Sequence, residues 1–90
     1  MYTTSVSLLE RLRQPGDQEA WSRFVRRYSP HIYDWARRQG LSAEDAADLV
    51  QEVFALLVQK MPDFKYDPHK SFRAWLRTVT RNKLVHWNHE

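Results

Sequence analysis

The sequence predicts an all-α domain, a compact bundle of about four helices in which an aromatic loop precedes the last. Three observations lead there. Only two Gly and four Pro interrupt 90 residues. No Val/Ile/Thr-rich alternating run reads as a strand, and apolar residues instead recur at three and four positions along most of the chain. Hydrophobic residues make up 42% and aromatics 13%, which is enough for one modest core in a chain of single-domain length.

A first short helix is expected from Ser7, where Ser7 and Glu10 have capping-box spacing and Val6, Leu9 and Leu12 share a face. Pro15-Gly16 ends it. Asp17 then caps a second helix whose inner face is Trp21, Phe24, Val25, Tyr28, Ile32, Trp35 and Ala36. Pro30 falls inside that stripe, and because the stripe continues through it, a kink in one long helix is preferred over two helices. Gly40 closes the helix as a left-handed cap. Ser42 and Asp45 form the next capping box, and Ala46, Leu49, Val50, Val53, Phe54, Leu57 and Met61 mark a third helix, stopped by Pro62. The segment from Pro62 to Lys70 has two prolines and no period, so it reads as a loop carrying Phe64, Lys65, Tyr66, His69 and Lys70. Ser71 caps a last helix, with Phe72, Trp75, Leu76 and Val79 inward, Arg73, Arg77 and Arg81 on another face, and Lys83 nearby.

The charge distribution says more than the net value of +3. Residues 1–40 hold 7 basic and 4 acidic groups, and residues 63–90 hold 6 and 3. Between them, residues 41–62 set Lys60 alone against Glu44, Asp45, Asp48 and Glu52. An acidic segment beside a basic one suggests two different partners, one of them a polyanion.

Both features have plain alternatives. Glu44 and Asp45 lie in a first helical turn, where the helix dipole favours acids whatever the function. Asp48, Gln51 and Glu52, deeper in the helix, form a polar ridge that could receive basic side chains, or be ordinary surface. The basic helix suits nucleic acid, with cations on phosphates and Phe64 and Tyr66 available to unpaired bases, but it is equally a solvated face. Enzyme readings lack support, since the chain has no Gly-rich phosphate loop, no Cys and no serine in a nucleophile setting. His86, His89 and Glu90 have metal-compatible spacing, but without a second shell they read better as tail residues, and no metal or cofactor is expected. The absence of Cys excludes a disulfide frame. With no signal-peptide pattern at Met1–Gln14 and no membrane-length apolar run, the expectation is a soluble cytoplasmic protein.

The string Ser42-Ala-Glu-Asp-Ala-Ala-Asp-Leu-Val-Gln-Glu-Val-Phe54, then Phe64, then Ser71-Phe-Arg-Ala-Trp-Leu-Arg-Thr-Val-Thr-Arg-Asn82, closely resembles conserved region 2 of the extracytoplasmic-function (ECF) bacterial sigma factors. Ala20-Trp21, Phe24, Tyr28 and Tyr33 fit the family's more variable first part, so nearly the whole chain is covered. The resemblance implies a non-enzymatic domain that binds RNA polymerase core and recognises and melts the promoter minus-ten element. It implies that the third helix docks on the clamp helices of the largest polymerase subunit through Asp48, Gln51 and Glu52, with Phe54 and Val58 as apolar neighbours. The loop from Asp63 to Ser71 would capture a base flipped from the non-template strand, and Arg73, Arg77, Arg81, Asn82, Lys83 and His86 would hold that strand. An anti-sigma factor is a further candidate partner.

Thr78 departs from the family by standing where a basic residue is common, with Arg77 one place earlier. His86-Trp-Asn-His-Glu90 replaces the usual basic run. The chain is expected to be an isolated region 2, without the linker and the helix-turn-helix domain for the minus-thirty-five element. Two other readings compete: a small helical DNA-binding regulator acting without polymerase, and a helical bundle that binds only protein. The first explains the basic helix but not the acidic ridge, and a nine-residue loop is too long for the turn of a helix-turn-helix.

Overall fold

The computed structural model describes residues 6–14, 16–65 and 71–88, with side chains described for 8–14, 16–65 and 71–85. Among these residues the chain forms four α-helices and no strand: α1 (Val6–Leu12), α2 (Gln18–Arg38), α3 (Ala43–Lys60) and α4 (Phe72–Asn88), with a 3-10 turn at Met61–Asp63. The predicted all-α class and the order of helices are those observed.

Local signals set most of the boundaries. The Asp17 carboxylate accepts the amide proton of Ala20 (3.1 Å) and starts α2. The Ser42 hydroxyl accepts from the Asp45 amide (3.1 Å) and starts α3, and the Ser71 hydroxyl accepts from the Ala74 amide (3.4 Å) at the head of α4. At the end of α2 the chain makes a Schellman turn, in which the Leu41 amide donates to the Ala36 carbonyl and the Gly40 amide to that of Arg37. That turn needs the left-handed φ of +97° found at Gly40. Pro30 does not divide α2, which runs through it. Ser7 is a correction: α1 starts at Val6, so Ser7 lies inside the first turn and not before it. Pro62 and Asp63, expected in the loop, belong instead to the 3-10 turn that prolongs α3.

The core is built on α2. Ala20, Phe24, Tyr28, Ile32 and Ala36 are buried at strict four-residue spacing. Against them pack Leu8, Leu9 and Leu12 of α1, Ala46, Leu49, Val53 and Leu57 of α3, and Phe72, Leu76, Val79 and Leu84 of α4. Phe24 is the hub, with ring centroids of Trp21, Tyr28, Phe54 and Phe72 at 5.1–5.8 Å. It thereby ties α2 to α3 and α4, each aromatic contact adding about 0.5–1.5 kcal/mol beyond area burial. The aromatic chain continues from Phe72 to Phe64 (5.7 Å) and Trp75 (5.5 Å). Among the described residues Thr80 is the buried polar one, and its hydroxyl donates to the Leu76 carbonyl at 2.9 Å, so its burial leaves no orphan donor.

Candidate functional site

Two surfaces of different character emerge. On α3, whose Ala46–Leu57 stripe is turned to the core, Asp48, Gln51, Glu52 and Val58 are all exposed, Val58 by 56%. Phe54, expected in the apolar stripe of α3 and as an apolar neighbour of this ridge, lies in the core cluster. It is only 8% exposed and stands edge-on to Phe24. The reason is helical phase: Phe54 follows Val53 and precedes Leu57 on the buried side. What it offers to the outside is the floor of an open groove of about 690 Å³ between α2 and α3. Val25, Pro30 and Tyr33 of α2 form the other wall, and Gln51 and Asp34 stand at its edges. The sequence does not reveal the α2 wall, since phase places Val25 in the core and Pro30 marks only a helix perturbation.

On α4 the 100° step of the helix separates the predicted contacts into two flanks. Arg73, Arg77 and Arg81 lie within one arc, 40° apart per four-residue step. Arg77 and Arg81 are exposed and Arg73 is half-buried. Asn82 is exposed too, but 100° on from Arg81, on the flank of Trp75. Lys83 does not join the arginines: it is half-buried because it falls in phase with Leu76 and Val79, so its stem lies towards the core. Trp75 is half-buried and tilted against Phe64 at 4.8 Å. Phe64, expected as a free loop aromatic, is therefore half-buried between Phe72 and Trp75, while Lys65 beside it is exposed. Tyr66, His69 and Lys70 lie outside the described residues, as does the side chain of His86.

The arginine flank meets an unforeseen neighbour. The Arg77 guanidinium lies over the Trp35 ring of α2, 5.6 Å from its centroid. Phase alone places Trp35 on the inner face of α2. It is half-buried, and its outer part borders the arginines.

Perturbed ionisation occurs elsewhere, at the α1–α2 turn, where Arg11 pairs with Asp17 and more distantly with Glu19. Hydrogen bonds from Arg11, then that of the Ala20 amide, hold the Asp17 carboxyl below the usual carboxylate range. No cluster of metal-ligating side chains occurs among the described residues, and His89 and Glu90 lie outside them. No helix among the described residues is long and apolar enough to cross a membrane.

Residues 24–87 match the model of the sigma-70 region 2 family. The chain is 35% identical over 69 residues to the RNA polymerase sigma factor CnrH of Cupriavidus metallidurans, covering 77% of this chain and 35% of that protein. It is 34% identical over 76 residues to the RNA polymerase sigma factor NccH of Alcaligenes xylosoxydans xylosoxydans, covering 84% and 40%. To the ECF RNA polymerase sigma factor SigE of Mycolicibacterium smegmatis it is 34% identical over 73 residues, covering 78% and 27%. The chain thus spans at most two fifths of the length of these curated relatives. No solved structure matches it. The matched segment contains all of α3 and most of α2 and α4, the helices that carry both surfaces, and the chain belongs to the sigma-70 region 2 family, in the form found in ECF sigma factors.

Proposed function

We propose that this domain acts in transcription initiation, binding RNA polymerase core through α3 and holding the melted non-template strand of the minus-ten element through α4 and the segment before it. The observation that carries this reading is the separation of an acidic ridge with an adjoining apolar groove on α3 and α2 from an arginine stripe on α4. Asp48, Gln51 and Glu52 receive basic side chains of the polymerase clamp helices, and Val58 and the groove floored by Phe54 receive apolar ones. Charge complementarity at such a rim sets orientation and association rate, while the groove contributes the apolar burial.

On the DNA side, Arg73, Arg77 and Arg81 contact backbone phosphates and position the strand without reading it. Asn82, whose amide both donates and accepts, faces a base edge on the other flank. The segment 63–71 captures an extruded base. Phe64 serves this capture indirectly, as the packed end of the aromatic chain that anchors the segment to the core. Lys83 contributes long-range charge.

A pull-down of polymerase core tests the reading. The double variant Gln51→Ala/Glu52→Lys should keep its helical content and lose core binding. Full retention by a folded double variant overturns the α3 assignment, and DNA binding that is indifferent to core would favour a regulator acting without polymerase.

A further inference from the structure

We propose that the cleft between the C-terminal end of α2 and the middle of α4 is a nucleotide site, in which Trp35 takes an unpaired base and Arg38, Arg77 and Arg81 take the adjoining phosphate. The proposal rests on the nucleic-acid reading of α4 and extends it to a second helix. The cleft holds about 170 Å³, the order of cavity that admits one aromatic ring (~150 Å³). Its apolar lining comes from Trp35, Ala36, Leu49 and Leu84. Three arginines line it and no carboxylate does.

That composition selects the ligand. A bare phosphate would leave the indole and the apolar lining unused, and an apolar ligand would sit among three guanidinium groups with no counter-charge. A flat base joined to a phosphate satisfies both halves, by stacking on Trp35 and by ion pairing at the edge. The α2 helix dipole alone accounts for a cation at Arg37 or Arg38. It does not account for Arg77 and Arg81, which come from the interior of another helix. The two α2 arginines also differ: the Arg37 guanidinium donates to the Leu41 carbonyl at 3.1 Å, within its own helix cap, whereas Arg38 lines the cleft.

The same chemistry could come from a strand or from a free nucleotide. A second, more open channel shares Trp35, Arg77 and Arg81 with the cleft and is lined along α4 by Arg73 as far as Ser71. A strand lying on the arginine stripe therefore leads into the cleft, and the single strand is the ligand we assign.

The test uses the full chain with polymerase core and non-template oligonucleotides carrying 5-iodouracil at successive positions. Photocrosslinking at one position should map to Trp35 by mass spectrometry. Trp35→Leu should weaken strand binding about tenfold, as loss of one stacking platform does. Arg38→Gln, an exposed change that leaves the core intact, should lower the log K against log salt slope by up to about 0.7. Trp35→Phe, which keeps a ring, should restore most of the affinity. Crosslinks elsewhere, with unchanged affinity in folded Trp35→Leu and Arg38→Gln, overturn the site. If Arg77→Ala still weakens binding in that case, the reading of α4 stands without it. Binding of AMP or UMP as tightly as the strand overturns the strand as ligand. If the wild type binds no strand at all, the reading of α4 and this site fall together.

Discussion

Arg11 and Asp17 pair side-on across the turn between α1 and α2, with Nε to Oδ2 at 3.0 Å and Nη2 to Oδ1 at 3.1 Å. The same carboxylate caps α2 through the Ala20 amide, so one side chain fixes both the turn and the helix start. Because the Asp17 carboxyl is held below its ordinary value in the folded state, its stabilisation is present above the unfolded-state value and is lost as pH falls through the folded one. Thermal unfolding from pH 7 to pH 2 should therefore show wild type losing its advantage over Arg11→Gln on acidification below about pH 4. Parallel acid limbs in the two proteins would refute this role for the pair.

Gly40 is a conformational requirement and not a packing one. Its φ is +97°, and a Cβ there would meet nothing within 4 Å. Gly40→Ala should cost about 1 kcal/mol through backbone strain alone, which lowers Tm by about 4–8 °C in a domain of this size. Gly40→Asn, better tolerated in the left-handed region, should recover part of the loss. An unchanged Tm for the alanine variant would show that the Schellman turn relaxes without penalty.

Phe24 is fully buried and in contact with aromatics of all three long helices. Phe24→Ala should cost roughly 3–5 kcal/mol, a large part of the roughly 5–15 kcal/mol that holds a domain of ordinary stability. Urea unfolding should show a midpoint shifted far to lower denaturant with the slope little changed. A loss below 1 kcal/mol would mean that the surrounding rings collapse into the space.

The two flanks of α4 should separate in DNA binding. Arg77→Ala or Arg81→Ala should weaken all single strands alike and reduce the salt slope by up to about 0.7. Asn82→Ala should cost roughly 1–3 kcal/mol on the preferred sequence and less on others, with the slope barely moved. Fluorescence titrations over a salt series, with core present, measure both quantities. Sequence preference unchanged by Asn82→Ala would remove that residue from the base-reading flank.

Much of the domain was legible in the sequence because its helices are bounded by local chemistry. Asp17, Ser42 and Ser71 cap through their own side-chain oxygens, Gly40 supplies a dihedral that other residues resist, and the four-residue apolar spacing of α2 identifies its buried stripe without reference to any neighbour. The misplaced start at Ser7 has a local cause as well, since a Ser and a Glu three apart occur within a first turn as readily as at its edge. The exposed ridge of Asp48, Gln51 and Glu52 and the arginine stripe of α4 follow from phase alone and were found that way. Periodicity reports which side of a helix is apolar, but not which helix covers it or how far round the cover extends. Packing decided that Phe54 meets Phe24 edge-on, that Val25, Pro30 and Tyr33 become a groove wall, and that Phe64 closes on Trp75. It also brought Trp35 of α2 against Arg77 of α4, a proximity set by the crossing of two helices, which no spacing along one of them encodes.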